Sequence, residues 1–101
     1  MTLTIKNEGD VWTGVIEGRL DTVNAVQFEK DMQPLMDNAD KEIVLDCTNL
    51  EYISSSGLRQ FLALRKTVKA KGGKMFIAHI NEELRNIFTI TGFFALFDFR
   101  S

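Results

Sequence analysis

Ser54, Ser55 and Ser56 are the residues of this chain best placed to do chemistry: three hydroxyls in a row, followed by Gly57 and an apolar stripe at helical spacing. Serines at a helix start meet unpaired backbone N–H groups and the positive end of the helix dipole, a setting that favours an anion. Phosphorylation there would add roughly 1.5 to 2 negative charges in one step. The segment reads as a switch. A plainer role is capping, because serine is a leading N-cap residue and a serine-rich start followed by glycine is common helix punctuation. One cap consumes one serine, however, and three stand here. Ser56 is the expected cap. An apolar strand is expected to end at Asp46, with a short polar loop leading from it to the serines.

Other chemistries find less support. Cys47 is the only cysteine, so an internal disulfide is excluded, and a lone cysteine of this kind is expected to be a small buried hydrophobe. His79 has no second His or Cys at ligand spacing, and no metal or cofactor site is expected. A hydrolase using Ser55 or Cys47 with His79 would need an orienting acid, and the strand ending at Asp46 is expected beside the one ending at His79. The spacing does not favour that trio, and no Gly-x-Ser-x-Gly elbow is present. Gly72 and Gly73 do not form a phosphate-binding loop. Asp46 is read first as a strand-end carboxylate accepting backbone N–H bonds, and Asp21 as a helix cap. Arg59, in the first turns of a helix, opposes the dipole and is expected to pair with Glu51, or else to meet an acidic partner or a phosphate.

The elements that must hold these residues follow from periodicity. Leu3 and Ile5 alternate with Thr2, Thr4 and Lys6, predicting a strand with one wet face; Asn7 to Asp10 turns, and Val11 to Glu17 returns as its hairpin partner before Gly18. Asp21 or Thr22 opens a helix carrying Ala25, Phe28, Met32, Leu35 and Met36, with Pro34 kinking or ending it. Ile43 to Leu45 is a strand apolar on both faces. After the serines, Leu58, Phe61, Leu62, Arg65 and Val68 mark a second helix, stopped at Gly72-Gly73. Met75 to Ala78 is a strand, Asn81 caps a third helix with Leu84, Ile87 and Phe88, and Leu96 to Phe99 is a short last strand. Among Phe93, Phe94, Leu96, Phe97 and Phe99 most are expected in the core, with some left over for a surface patch or a second copy. An N-terminal hairpin followed by alternating strands and helices implies an α/β domain: a mixed sheet with parallel central strands and helices packed on it.

The totals agree. At 101 residues and 45% hydrophobic, the chain is expected to be one domain over residues 1–101 with a small core. A net charge of −2 argues against nucleic acid; Arg65, Lys66, Lys69, Lys71 and Lys74 are read as the solvated face and end of a helix. No signal-peptide pattern or bilayer-length apolar run occurs, so a cytoplasmic protein without direct membrane insertion is expected.

The segment from Asp46 to Arg59 is similar to the phosphorylation loop of the STAS family, best known from bacterial anti-sigma factor antagonists. Gly18-Arg19-Leu20-Asp21 resembles a second family signature, and Ile90-Thr91-Gly92-Phe93 with Leu96-Phe97 a third, in family order. The resemblance implies the STAS fold and puts the phosphoacceptor at Ser55, with Ser54 and Ser56 ranked behind it. It places Asp21 and Asp46 near the phosphoserine and makes Asp21, Asp46, Ser54, Ser56, Gly57, Leu58 and Arg59 the partner-binding set. Ser54 stands where many antagonists carry Asp, and Arg59 where many carry Gly. The implied protein is a non-catalytic binding module. It binds an anti-sigma factor with serine kinase activity, is released on phosphorylation of Ser55, and is reset by a PP2C-type phosphatase. The alternative job on the same fold is a docking subunit of a lipid-transport ATPase complex. A homodimer is left open.

Overall fold

Polar–apolar alternation along Thr2–Glu8 (β1) puts Leu3 and Ile5 against the core and leaves Thr2, Thr4 and Lys6 in solvent. Gly9 makes the turn at φ +63°, a conformation that costs glycine least, and Val11–Leu20 (β2) returns antiparallel with Leu3 opposite Ile16 and Ile5 opposite Gly14. The computed structural model describes residues 1–100. Its sheet has the order β1-β2-β3-β4-β5, with Glu42–Ile53 (β3), Lys74–Ala78 (β4) and Phe99–Arg100 (β5) all parallel to β2.

Each parallel step runs through helix: Ala25–Asp31 (α1) and Gln33–Asp37 (α2) between β2 and β3, Ser55–Ala70 (α3) between β3 and β4, and Glu82–Ile90 (α4) before β5. Right-handed crossovers that always step in one direction across a sheet lay every helix on the same face. Ile16, Ile43, Leu45, Met75 and Ile77 accordingly join Phe28, Leu35, Leu58, Phe61, Leu64, Leu84 and Phe88 in one buried cluster. Phe28 of α1, Phe61 of α3 and Phe88 of α4 meet at centroid distances of 5.8 and 6.3 Å, and Phe97 closes the group edge-on to both Phe61 and Phe88. Such aromatic contacts add to plain area burial. The mixed sheet with parallel central strands is the predicted architecture.

Several local expectations change. β2 does not stop before Gly18 but runs to Leu20, with Gly18 at φ +90° beside an irregularity in the β2–β3 ladder. β3 does not end at Asp46; it continues to Ile53 as a partner of β2 alone, because β4 pairs only as far as Asp46 opposite Ala78. The single helix expected after Asp21 is two, broken at Met32, where Pro34 lacks the N–H that a continuous helix would need. On α3 the buried stripe is Leu58, Phe61, Leu64 and Val68, while Leu62 and Arg65 are only half-buried. At the C-terminal end Phe97 alone of its run is fully buried; Phe93, Phe94 and Phe99 pack around the rim, and Leu96 sits in a 3₁₀ turn with its side chain exposed.

Candidate functional site

The serine segment is positioned by the far end of the β2–β3 pair. Leu20 lies opposite Ile53, and the Leu20 carbonyl accepts the Ser54 N–H at 2.8 Å. Ser54 is therefore still extended, at φ −84° and ψ 169°, when α3 begins. Its hydroxyl accepts the Gly57 N–H at 3.2 Å and its carbonyl accepts the Leu58 N–H at 2.9 Å, the geometry of an N-cap. The cap is Ser54, not Ser56. Ile53 before it and Leu58 after it both reach the core, as a hydrophobic staple arranges them. Gly57 is there for space: a Cβ would lie 2.8 Å from both Ile53 Cγ1 and Leu20 Cγ.

With Ser54 only 8% exposed and committed to the cap, Ser55 occupies the first helical position and faces solvent, while Ser56 is half-buried. Neither side chain of these two takes part in a hydrogen bond to another described residue. Arg59 is exposed one turn along the same helix face as Ser55, since residues four apart are neighbours. Among the described residues Arg59 has no ion pair, so the expected partnership with Glu51 is absent. The first turn of α3 carries no acidic residue.

Asp21 comes to this end as anticipated. Its carboxylate accepts the Asn24 N–H at 3.0 Å, the Asn24 carbonyl oxygen Oδ1 accepts the Asp21 N–H at 2.9 Å, and Asn24 Nδ2 donates to the Arg19 carbonyl. This reciprocal pair fixes the turn between Leu20 and α1, beside the serine cap. The same turn and helix present Val23 and Val26, 87% and 61% exposed, neither of which the apolar stripe of this segment includes. Their signal is in the sequence: two valines at off-stripe positions of an otherwise polar helix face.

Asp46 does not come to this end. It lies opposite Val15, five β2 positions before Leu20, which is about 17 Å of strand from the serine cap. The Thr48 hydroxyl and N–H donate to its carboxylate at 2.6 and 3.0 Å. Partial burial pushes the Asp46 carboxyl up, but the two Thr48 bonds, with His79 and Lys6 nearby, outweigh it and hold the group below its ordinary range. Cys47 is wholly buried, and burial with the adjacent Asp46 charge pushes its thiol up to about 12, the opposite of an activated nucleophile. Gly57 and Leu58 also belong to the interior, so they shape the serine surface from beneath it. Among the described residues no cluster of three or more His, Cys, Asp or Glu could hold a metal, and no helix is long and apolar enough to cross a membrane.

The site thus sits on a five-stranded mixed sheet with helices on one face, at the Ser54-capped start of α3, the longest helix among the described residues. The STAS domain family matches over residues 4–101, and the chain belongs to that family. Among its relatives, BtrV of Bordetella bronchiseptica is 30% identical over 97 residues, covering 96% of this chain and 84% of BtrV. The anti-sigma-B factor antagonist of Bacillus subtilis is 33% identical over 88 residues, covering 86% of this chain and 78% of that protein. Among solved structures, the anti-sigma factor antagonist SpoIIAA superposes in its unphosphorylated form with a TM-score of 0.78 at 14% identity, covering 99% of this chain and 89% of that one. The phosphorylated SpoIIAA of Bacillus gives 0.72 at 15% identity, covering 99% and 92%.

Proposed function

We propose that this chain is an anti-sigma factor antagonist that works by partner switching, with residues 1–101 acting as one regulatory domain and no catalytic step of its own. Unphosphorylated, it binds an anti-sigma factor that has serine kinase activity. That kinase transfers the γ-phosphoryl group of ATP to the Ser55 hydroxyl, whose proton is lost as ADP leaves, and the phosphorylated protein is released. A PP2C-type phosphatase hydrolyses the phosphate and resets the switch in the cytoplasm.

The observation that carries this reading is the division of labour between neighbouring serines. Ser54 is buried and spent on the cap, which leaves Ser55 at the surface with an unengaged hydroxyl. Asp21, Ser56 and Arg59 lie around it on the proposed contact surface, and Ser54, Gly57 and Leu58 hold that surface in place; Asp46 acts only at a distance, through the stability of β3. A phosphate on Ser55 suits the helix dipole, so the modification leaves the fold intact. What it disrupts is the interface, where added charge and bulk at the centre of a contact are costly to desolvate.

Incubation with ATP and the serine-kinase anti-sigma factor of the same organism, followed by tandem mass spectrometry, is expected to place a single phosphate on Ser55. Ser55→Ala should bind that kinase as the unmodified protein does, and Ser55→Glu should bind at least about tenfold more weakly, a difference of about 1.4 kcal/mol. Equal binding by the two variants overturns the proposal.

A further inference from the structure

Few large apolar side chains of the described residues stand in solvent: Val23, Val26, Ile90 and Leu96. Ile90 and Leu96 belong to the end of α4 and the 3₁₀ turn after it, far from the start of α1 in the chain. Val23 and Val26 stand three residues apart where α1 begins. The Ala25 N–H already donates to the Asp21 carbonyl at 3.0 Å, so the backbone coils as a helix from Asp21 onward and residues three apart share a face. An isolated surface valine is ordinary, but two on one face make a patch.

The direction of that face follows from its neighbours. Ala25, Phe28 and Met32 mark the buried side of this segment. Glu29 lies on one flank of that side, where its carboxylate accepts from Gln60 Nε2 of α3 at 3.4 Å. Val26, three residues before Glu29, lies on the same flank, and Val23 continues the row. The opposite flank carries Gln27 and Asp31, joined by a bond of 2.7 Å. Both α1 and α3 lead out of parallel strands and return along one face of the sheet, so they point the same way. One turn before the Glu29–Gln60 contact, α1 therefore reaches Val26 as α3 reaches half-buried Ser56. Ser55 is the next residue, and packed helices lie about 8–10 Å apart. The valine pair borders the serine surface.

We propose that Val23 and Val26 are the apolar anchor of the contact that Ser55 switches, and that they set how strongly a phosphate there is rejected. This inference rests on the function proposed above and adds the chemistry of the partner, whose surface places apolar side chains against the α1 flank. Covering the valines removes water from the neighbouring serine. A charge without a partner is far less tolerable in such surroundings than in water, whereas a hydroxyl is accommodated. The serine thus carries the switch, and the valines supply affinity and the dry setting that makes the switch steep.

The test measures, by calorimetry, binding of the full chain to the serine-kinase anti-sigma factor of the same organism. Ser55→Ala and Ser55→Glu are compared twice, with the native valines and with Val23→Ser plus Val26→Ser. Serine and valine have similar helix propensity and both sites are exposed, so the double change should keep the native circular dichroism spectrum and melting temperature. With native valines, Ser55→Ala should bind at least about tenfold more tightly than Ser55→Glu. With both valines replaced, Ser55→Ala should bind roughly tenfold more weakly than before, and its advantage over Ser55→Glu should fall to about threefold or less. Gln27→Ser with Asp31→Ser, on the opposite flank, should bind as the native protein does. Unchanged affinity in the valine double variant, an equal loss in the Gln27 and Asp31 pair, or weaker binding with the ratio intact overturns the anchor while the switch at Ser55 stands. Equal binding of Ser55→Ala and Ser55→Glu with native valines overturns the switch itself, and the anchor with it.

Discussion

Ser54 and Asn81 open α3 and α4 from nearly the same backbone, φ −84° and ψ 169° against φ −83° and ψ 177°. Each accepts the N–H three residues on, Gly57 at 3.2 Å and Leu84 at 2.8 Å, and each of those third residues is buried. The first turns then differ. In α4 Glu82 and Glu83 supply negative charge beside the exposed N–H groups, so the dipole is already answered. In α3 the corresponding positions are Ser55 and Ser56, and no carboxylate is present. One helix start is electrostatically complete; the other has an unfilled place for negative charge and an exposed hydroxyl on which to put it. The two helix starts thus share one capping geometry and differ in the charge of the next two residues, the difference on which the role proposed for Ser55 rests.

The largest expected break in this comparison is steric. Leu84 shows that the third position can hold a full side chain when the space is provided, whereas Gly57 lies against Leu20 and Ile53. A glycine-to-alanine change inside a helix ordinarily gains about 0.5–1 kcal/mol. Here the added methyl would sit 2.8 Å from two side-chain carbons, and overpacking costs typically about 1–3 kcal/mol. Gly57→Ala is therefore expected to be a net loss of about 1–2 kcal/mol in urea unfolding. A gain would mean that Leu20 and Ile53 yield, and that the glycine is no packing constraint.

Removing the caps comes next. Ser54→Ala and Asn81→Ala should each cost about 1 kcal/mol by the same unfolding assay, within a usual span of about 0.5–2. Ser54 carries the second bond from its N–H to Leu20, which alanine keeps, so the two losses should be similar despite the different burial of the sites. A markedly larger loss at Ser54 would show that its hydroxyl supports the β2–β3 end as well as α3.

These local signals also mark what was legible in the sequence. The Gly9 turn, the Asn81 cap, the burial of Cys47 and the β4 strand all follow from short-range pattern, and the structure has each of them. The extension of β3 to Ile53 does not follow from pattern, because Thr48, Asn49 and Glu51 are polar and exposed and read as loop; pairing with Glu17 to Leu20, some thirty residues away, makes them strand. The cap position is hidden for the same reason: three serines are equal in type, and only that long-range pairing shows that Ser54, not Ser56, is the last extended residue. The alignment of Asp46 with the site failed likewise, since a carboxylate thought to end a strand turned out to lie within one. The family resemblance points to Asp21 and Ser55, which lie at the turn after β2 and on the exposed first position of α3, whereas the exposure of Val23 and Val26 beside that turn is invisible to a pattern that follows only the buried stripe.

The smallest effect sharpens the comparison most, because it has opposite signs at the two helices. Ser55→Glu places a carboxylate in the first turn of α3 and should raise thermal stability by roughly 0.3–1 kcal/mol at low salt. Glu82→Gln removes one from α4 and should lower it by a similar amount. Both differences should shrink as ionic strength rises, because exposed charges are screened over about 10 Å at 0.1 M salt. Arg59, exposed on the Ser55 face one turn on, adds a second source of gain for the glutamate, and Ser55→Glu in an Arg59→Gln background separates that pairing from the dipole. The stabilised Ser55→Glu variant is the same protein expected to lose its kinase partner. A rise in melting temperature together with a loss of binding would locate the switch in the interface; a fall in both would place it in the folding of α3 itself.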